Sequence, residues 1–384
     1  MAFETGVSED SYEVVVIGGG LAGLATAASL VSSGVTSVLV LESEAIPGAH
    51  SSGRNAGLVR QAAEDPETTR LCVRGAELIR HWSGDRSKLF QQCGSLILST
   101  DEQVPQASWD QVEHQMISED EARSCYPELQ EWPGGIARWT ATDGIVDVPR
   151  LLGELLDRLI AGGGEVSFGV EAGRIEIEGP RQFQVKIRGD RMRNGISRES
   201  VRCRNVVVAN GAWAAEFSEL SEMPIDLFVT NRGCLITSSG GFDPADRPWI
   251  WADQPGWYLR RLGEGWLWSA CEEEMSSAAD LSLSTDLESY WRAKTEPAWG
   301  TVVSGLKVSS AWVGQRTFCP DRRFLLGEDA RCEGWHWAVG LGGHGVTSAL
   351  AVGEQLAHSV RGQKISKSWS WSEDRFVSSS RRLS

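Results

Sequence analysis

The chain has no apolar run of the roughly 18 residues that a membrane-spanning helix requires. Residues 1–11 lack the basic and apolar regions of a secretory signal, and we expect a cytoplasmic protein, with peripheral docking to a membrane left open. Basic residues are scarce relative to acidic ones, since 37 Lys and Arg against 52 Asp and Glu give a net charge of −15. This balance argues against nonspecific nucleic-acid binding and against attraction to anionic lipid.

The eight cysteines form no Cys-x-x-Cys pair, and the six histidines form no His-x-x-x-His pair. Such spacings mark metal sites and redox motifs, so we expect reduced, largely buried cysteines and no bound metal. Tryptophan, in contrast, is abundant: the chain has 17, and several lie within residues 249–268. We expect most of them in hydrophobic cores and some in the wall of an apolar substrate pocket.

A strand, a helix and a second strand are predicted near the start of the chain. Residues 14–17 are all β-branched, as in a strand buried on both faces. Residues 21–33 are rich in alanine and leucine, and Gly34 stands where a left-handed residue would end a helix. Residues 38–41 form a second apolar run. This order is that of a βαβ unit, so we expect an α/β fold with a Rossmann-like domain.

The turn between the first strand and the helix has the spacing G-x-G-x-x-G. In dinucleotide sites such glycines make the turn, let the backbone approach a pyrophosphate, and allow close packing of helix on strand. An acid at the end of the second strand accepts hydrogen bonds from a ribose with a free 2′-hydroxyl. The unit therefore predicts FAD or NAD rather than NADP. The cofactor-binding residues expected here are Gly18, Gly20, Leu21, Ala22, Gly23, Glu42 and Ser43.

Residues 47–57 are small and polar, and the run is too long for a simple hairpin. An ordinary surface loop would explain it. We favour the alternative, in which small side chains let the backbone lie against the cofactor and hydroxyl and N–H groups bind its phosphates. The residues expected to contact cofactor are His50, Ser51, Ser52, Arg54, Asn55, Ala56 and Gly57.

In two later stretches a buried strand is again followed by small residues. Residues 205–208 are expected to form a strand whose carboxyl end faces the ligand crevice of a doubly wound sheet. Residues 340–347 form a second glycine-rich turn before a helix expected at 348–359, whose N-terminus carries positive partial charge. The cofactor-binding residues expected in this half of the chain are Ala172, Ala209, Asn210, Gly211, Trp213, Gly314, Gly342, Gly343, His344, Gly345, Val346 and Thr347.

The remaining periodicity predicts further helices and short strands. Helices are expected at residues 65–81, 150–160 and 280–294, the last with Pro297 just beyond its end. Short strands are expected at residues 165–170, 174–178, 182–187 and 200–204, and residues 222–313 alternate as in a half-exposed, mostly antiparallel sheet.

The chain is long enough for two domains with substantial cores. We expect a discontinuous cofactor domain, a substrate domain built on the antiparallel sheet, and a polar tail. The boundaries expected are residues 12–90, 140–220 and 314–365 for the cofactor domain, 91–139 and 221–313 for the substrate domain, and 366–384 for the tail.

Taken together, these blocks resemble the D-amino-acid oxidase (DAO) superfamily of flavoproteins, which includes glycine and sarcosine oxidases and amino-acid dehydrogenases. Within it the chain is most similar to the D-arginine dehydrogenase branch. The blocks that carry the resemblance are the glycine turn with Glu42, residues 50–54, 209–213, 258–259, 314–316, 342–345 and 380–383.

The resemblance implies noncovalent FAD, a Rossmann-like FAD domain beside a mostly antiparallel sheet domain, and a small-molecule amino-acid substrate. The family moves a hydride from the CH–NH group of an amino acid to flavin N5, and D-amino acids are the favoured substrates. Oxygen, a quinone or another compound would then accept the electrons. Two alternatives stay open: a 2-hydroxy-acid dehydrogenase, since residues 52–57 also resemble hydroxyglutarate-oxidising relatives, and a flavin-binding subunit without catalysis.

The same resemblance suggests which residues bind the substrate. Arg316 would bind the carboxylate bidentately, and Tyr258 would hydrogen-bond to it. Arg232 matches a family arginine that faces the pocket. His50 and His344 are both candidates for assisting the loss of the amine proton, and the sequence does not choose between them.

The chain also departs from the D-arginine dehydrogenase pattern. An active-site histidine and tyrosine of that branch align with Leu58 and Ala63, and its side-chain-binding glutamate is missing near Gln91. Arginine is therefore a doubtful substrate, and a small or apolar amino acid is more plausible. Cys319 does not fall at the position of covalent flavin attachment in sarcosine oxidases, which favours noncovalent FAD.

Overall fold

The structure is a computed structural model that describes residues 11–84, 88–99, 104–131, 135–188, 199–241, 247–283 and 286–377. The matched block at residues 380–383 lies outside these ranges. The described strands are β1 (Ser11–Ile17), β2 (Val38–Glu42), β3 (Leu58–Val59), β4 (Phe90–Gln91), β5 (Ser95–Ser99), β6 (Gln115–Ile117), β7 (Ile136–Thr140), β8 (Gly144–Val146), β9 (Glu165–Phe168), β10 (Glu171–Gly179), β11 (Gln182–Arg188), β12 (Ser200–Val208), β13 (Phe228–Thr237), β14 (Trp249–Ala252), β15 (Trp257–Leu262), β16 (Gly265–Ser269), β17 (Glu274–Ser276), β18 (Val308–Phe318), β19 (Leu325–Glu328) and β20 (Trp335–Val339).

The described α-helices are α1 (Leu21–Ser32), α2 (Pro66–Ser83), α3 (Gln106–Trp109), α4 (Glu119–Cys125), α5 (Val148–Ala161), α6 (Ala214–Leu220), α7 (Leu287–Trp299), α8 (Thr301–Gly305), α9 (Gly345–Val360) and α10 (Glu373–Val377). Short 3₁₀ helices lie at Gly211–Trp213 and Lys367–Trp369. No helix within the described ranges is both long and apolar enough to cross a membrane.

The first sheet has eight strands, ordered β10-β11-β12-β1-β2-β9, with β20 beside β12 and β19 beside β20. Its centre is parallel: Val16 of β1 pairs with Val40 of β2 and with Val207 of β12. This arrangement confirms the predicted βαβ unit and the parallel strand at residues 205–208. Helices α1, α5 and α9 bury their apolar side chains against one face of this sheet.

The prediction of two strands at residues 200–204 and 205–208 was wrong, because β12 is continuous. Its first half alternates buried and exposed residues, while its last four residues are all buried. The first half pairs with β11 and the second with β20, so the two halves have different surroundings. One strand therefore shows two sequence patterns.

Helix α2 confirms the prediction at residues 65–81: Asp65 caps it by accepting a hydrogen bond from the N–H of Thr68 at 2.9 Å. Helix α5 begins earlier than predicted because Asp147 caps it. Helix α9 begins at Gly345, three residues before the predicted residue 348. That difference places the glycine-rich turn directly at the helix N-terminus.

The second sheet has nine strands, ordered β17-β13-β16-β15-β14-β5-β7-β6, with β18 also beside β13. It is antiparallel except where β14 runs parallel to β5, which confirms the mostly antiparallel prediction. Its core is filled by tryptophans at edge-to-face angles, for example Trp268 against Trp291 and Trp299. Strands β3, β8 and β4 form a third, small sheet.

The predicted helix at residues 280–294 was displaced. Helix α7 begins after Asp286, whose carboxylate accepts a hydrogen bond from the N–H of Ser289 at 2.8 Å. Asp280 instead closes a turn by accepting from the N–H of Ser282 at 3.0 Å. Pro297 lies inside the last turn of α7 and not beyond its end.

All eight cysteines are free, as predicted, but only four are buried. In the tail, Trp369 and Phe376 pack into the cores beneath the first sheet, while residues 378–384 lie outside the described ranges.

Candidate functional site

The turn between β1 and α1 requires glycine at two positions for different reasons. Gly18 has φ +108°, which side chains other than glycine rarely adopt, and a Cβ there would lie 2.7 Å from the carbonyl oxygen of Ala209. A Cβ on Gly23 would overlap the carbonyl oxygen of Gly18. The first glycine therefore makes the turn, and the last allows α1 to pack closely on it.

Two side chains complete this turn. The Ser52 hydroxyl accepts a hydrogen bond from the N–H of Leu21 at 3.0 Å, so residues 47–57 lie on the N-terminus of α1. The buried Glu42 carboxylate accepts from the N–H of Gly19 at 2.6 Å and from the N–H of Glu44 at 2.8 Å. Ser43 donates its hydroxyl hydrogen to Glu42 at 3.2 Å. The acid thus stands at the tip of β2, beside the glycine turn.

A cavity of about 850 Å³ runs from this turn to the faces of β13, β15 and β18. It is bounded on another side by the glycine-rich turn before α9. The predicted residues that line it are Gly20, Leu21, Ala22, Ser51, Ser52, Arg54, Asn55, Ala56, Gly57, Ala209, Gly211, Arg232, Tyr258, Gly314, Arg316, Gly342, Gly343, His344, Gly345, Val346 and Thr347.

Other predicted residues do not line the cavity. For Gly18 and Gly23 the reason is that neighbouring backbone covers them, as described above. Ala172 packs at the edge of the core beneath β12. The buried Oδ1 atom of Asn210 has no hydrogen-bond partner among the described residues. The predicted residues outside the cavity wall are Gly18, Gly23, Glu42, Ser43, His50, Ala172, Asn210 and Trp213.

His50 is not brought to the cavity, contrary to its prediction as a catalytic residue. Its Nε2 atom lies 2.8 Å from a carboxylate oxygen of Glu44. Its ring centroid is 4.5 Å from that of Trp213. These contacts hold the imidazole near the acid-bearing end of β2, and of the two histidines His344 alone is among the residues that line the cavity.

Arg316 and Arg232 lie on the same face of two paired strands. Thr230 of β13 pairs with Arg316 of β18, and Arg232 pairs with Gly314, so the two arginines are diagonal neighbours. Burial, and then the like charge of Arg232, lower the pKa of Arg316 to about 10, which still leaves it charged at neutral pH.

The partners of the two arginines differ. Arg232 donates from Nε to the carbonyl of Glu272 at 3.1 Å, and its Nη2 atom is 3.8 Å from Glu273. The Arg316 guanidinium packs against Gly343 and has no hydrogen-bond or carboxylate partner among the described residues. A charge facing a cavity without a protein partner is suited to an anionic ligand.

The Tyr258 hydroxyl lies 3.6 Å from the thiol of Cys234 and lines the same wall. Burial raises the pKa of Tyr258 well above its usual value, so the phenol keeps its proton and can donate a hydrogen bond. The cavity therefore joins a phenol donor and two guanidinium groups on adjacent strands.

A cluster that the sequence did not predict also lines the cavity. Nη2 of Arg60 is 2.7 Å from Oε1 of Glu64 and 3.0 Å from Nε2 of His344. Nε2 of His344 is in turn 2.8 Å from Oε2 of Glu64. The Arg60 guanidinium also lies over the ring of Trp251, 4.2 Å from its centroid. Arg60, Glu64 and Trp251 all line the cavity.

A dinucleotide turn, a second helix N-terminus and unpaired positive charge around one cavity define a dinucleotide-dependent oxidoreductase. The family comparison makes this specific. The model of the DAO family, described as FAD dependent oxidoreductase, matches residues 13–359. The chain belongs to this family, which confirms the predicted superfamily and FAD as its cofactor.

The names of the curated relatives do not indicate one shared activity. FAD-dependent oxidoreductase domain-containing protein 1 of Bos taurus is 26% identical over 402 residues, covering 91% of this chain and 81% of that protein. The mitochondrial L-2-hydroxyglutarate dehydrogenase of Bos taurus is 29% identical over 229 residues, covering 56% of this chain and 49% of that enzyme. The chain thus spans about half the length of the hydroxyglutarate dehydrogenase it matches.

Solved structures share the fold over nearly the whole chain. L-Proline dehydrogenase from P. horikoshii superposes with a TM-score of 0.81 at 23% identity, covering 92% of this chain and 95% of that chain. Glycine oxidase from Geobacillus kaustophilus gives 0.77 at 18% identity, covering 94% and 99%. At such identities the likeness shows the fold alone.

The residues present fit FAD. The glycine turn is so tight that a side chain on Gly18 or Gly23 would meet neighbouring backbone, and within the described ranges the buried amide oxygen of Asn210 beside it has no hydrogen-bond partner. The N-termini of α1 and α9 both meet the cavity, where their positive partial charge suits a pyrophosphate and an electron-rich ring. Cys319 is fully buried in the core and does not line the cavity.

Proposed function

We propose that the protein oxidises the CH–NH group of an α-amino acid to an imino acid. The observation that carries this proposal is Arg316, a guanidinium that faces the cavity without an anionic partner among the described residues. A guanidinium binds a carboxylate through two parallel hydrogen bonds. A substrate with a carboxylate next to the oxidised carbon would be oriented by this contact.

The neighbours of Arg316 support the same orientation. Tyr258 donates its phenolic hydrogen to the carboxylate, and Arg232 adds positive charge from the adjacent strand. Fixing the carboxylate at two or three donors limits the rotation of the substrate, which lowers the entropy lost on reaching the transition state. Arg316 and Tyr258 are therefore binding residues, and Arg232 tunes the charge beside them.

The cofactor would be held at the other end of the cavity. Residues 20–22 and Ser52 would bind the pyrophosphate, and Glu42 would accept hydrogen bonds from the ribose. Residues 342–347 would place the N-terminus of α9 beside the flavin ring. When bound, FAD supplies the acceptor for the hydride that leaves the α-carbon.

The proposed substrates are amino acids, with D-amino acids favoured by the resemblance found in the sequence. The test is anaerobic mixing of the purified holoenzyme with D-amino acids, L-amino acids, N-methyl amino acids and 2-hydroxy acids. Loss of the flavin absorption band with at least one amino acid is expected. Reduction by no amine at all would contradict the proposal. Reoxidation by oxygen compared with reoxidation by a quinone then separates an oxidase from a dehydrogenase.

The second candidate is the oxidation of a 2-hydroxy acid. It is supported by the curated relatives described as L-2-hydroxyglutarate dehydrogenases and by His344, an imidazole in the cavity. An alcohol needs a general base to take its proton, which an imidazole supplies. Reduction of the flavin by hydroxy acids and by no amino acid would decide for this candidate. Retained FAD with no reduction by either class would favour a non-catalytic subunit.

A further inference from the structure

Glu64 is held between two partners while its side chain still faces the cavity. One carboxylate oxygen lies 2.7 Å from Arg60 and the other 2.8 Å from His344. The Glu64 side chain is 52% exposed, and Glu64 lines the cavity. Burial works to raise the pKa of Glu64, but the charge of Arg60 and the hydrogen bonds from His344 and Arg60 outweigh it and hold the pKa well below its usual range. Glu64 is therefore an anion.

An anionic neighbour decides which nitrogen of His344 carries the proton. Nε2 lies 2.8 Å from Oε2 of Glu64, which can only accept, and 3.0 Å from Nη2 of Arg60, which can only donate. Nη2 of Arg60 already donates to Oε1 of Glu64 at 2.7 Å. The shorter contact of Nε2 is thus with the Glu64 carboxylate. The neutral imidazole bonds to it best as the Nε2–H tautomer, which leaves Nδ1 unprotonated. Nδ1 has no hydrogen-bond partner among the described residues, and His344 lines the cavity.

The surroundings also keep the imidazole neutral. The charged groups that face His344 are Glu64 and Arg60 from the segment before α2 and Arg316 from β18. Burial is the largest influence and lowers the pKa of His344; Arg60 and Arg316 lower it further, and Glu64 raises it. The N-terminus of α9, where His344 is the capping residue, disfavours a positive charge as well.

We propose that Glu64 is a positioning residue whose carboxylate accepts the Nε2–H of His344, so that Nδ1 of His344 takes the proton that the substrate must lose. For an amino acid, an N–H bond of the ammonium group breaks, its electron pair stays on nitrogen, and the proton joins Nδ1. The amine so formed is ready for the oxidation set out under the proposed function, on which this inference rests. Arg60 in turn keeps Glu64 ionised and fixed in place.

The experiment compares Glu64→Gln and Glu64→Asp with the native holoenzyme by anaerobic flavin reduction from pH 5 to pH 10. Glu77→Gln, an exposed acid on α2 that pairs with Arg74, is the matched control. Without the carboxylate the tautomer is no longer fixed, and we expect the limiting rate of Glu64→Gln to fall about 10- to 100-fold. The acid limb of its pH–rate profile should move to lower pH, since Glu64 raises the pKa of His344 in the native enzyme. Glu64→Asp should restore part of the limiting rate and part of the position of the acid limb. Glu77→Gln should match the native enzyme in both quantities.

A limiting rate and acid limb of Glu64→Gln equal to those of the native enzyme would overturn the inference. So would a loss confined to substrate affinity, because Glu64 would then bind substrate directly.

A readout without turnover separates this inference from the proposed function. Benzoate binding, followed by the flavin spectrum of the holoenzyme, should strengthen as His344 gains a proton. The midpoint of that change should lie at lower pH in Glu64→Gln. If no amino or hydroxy acid reduces the native flavin, the proposed function fails, and the benzoate midpoints alone decide the role of Glu64: equal midpoints overturn it.

Discussion

Replacing Arg316 with methionine removes the unpaired cavity charge and keeps most of the side-chain volume. Each hydrogen bond from a charged donor contributes about 1.5–3 kcal/mol, and Arg316 would make two to a carboxylate. Cutting one partner of a buried charged pair typically costs about 2–5 kcal/mol. We take about 3–4 kcal/mol for Arg316→Met, because Tyr258 and Arg232 still face the carboxylate. The flavin-reduction rate at low substrate should therefore fall roughly 10²- to 10³-fold.

The stability of the same variant should move in the opposite direction. Burial and Arg232 lower the pKa of Arg316 to about 10, so the folded state disfavours its charge at every pH below that value. Removing the charge relieves this cost. The melting temperature of Arg316→Met is expected to be unchanged or a few degrees higher. A large drop in activity without a drop in stability distinguishes lost binding from misfolding.

The assay is anaerobic flavin reduction at several substrate concentrations, with Arg202→Met as the control. Arg202 is an exposed arginine of β12 whose nearest carboxylate, Glu178, is 3.7 Å away. A substrate analogue without its carboxylate should react poorly with the native enzyme and lose nothing further in Arg316→Met. If this analogue and the full substrate lose equally in the variant, Arg316 does not bind the carboxylate, and the reasoning is refuted.

Three further predictions concern the turn and two buried titratable groups. Gly23→Ala should abolish FAD retention, because its Cβ would overlap the carbonyl oxygen of Gly18, whereas Gly153→Ala, with open space around it, should retain FAD by absorbance ratio. Burial raises the pKa of Asp143 to about 6, so in urea unfolding the native protein should gain about 2.4 kcal/mol relative to Asp143→Asn as pH falls from 7 to 4. Burial lowers the pKa of His336 to about 3, so relative to His336→Asn the native protein should instead lose about 2 kcal/mol between pH 7 and 5. If the free energy of unfolding depends on pH in the same way in a variant and in the native protein, the prediction for Asp143 or for His336 is contradicted.

Local sequence predicted those parts of the fold in which one pattern has one structural meaning. The β-branched run at residues 14–17, the glycine turn and α1 were predicted because strand burial, turn geometry and helix propensity agree there. The start of α7 was missed because Asp280 and Asp286 are equally good capping residues by sequence. Tertiary structure decides between them: the carbonyl of Asp280 accepts a hydrogen bond from Asn231 of β13 at 2.9 Å, which holds it outside the helix.

The residues expected at the substrate end of the site, Arg316 among them, came from the resemblance to the family, and their roles stay predictions. Neither the resemblance nor the local sequence predicted the cluster of Arg60, Glu64 and His344. Arg60 and Glu64 are spaced like a surface ion pair on a helix, although α2 begins only at Pro66. They reach His344 because α2 packs closely on α9: a Cβ on Gly75 of α2 would overlap the carbonyl oxygen of Thr347. The N–H of Arg60 then donates to the Thr347 hydroxyl at 3.0 Å and fixes the segment there. Because a glycine in mid-helix is otherwise unfavourable, Gly75 is the one local signal that this contact leaves in the sequence, and Gly75→Ala should disturb the Glu64–His344 pair before it disturbs α2 itself.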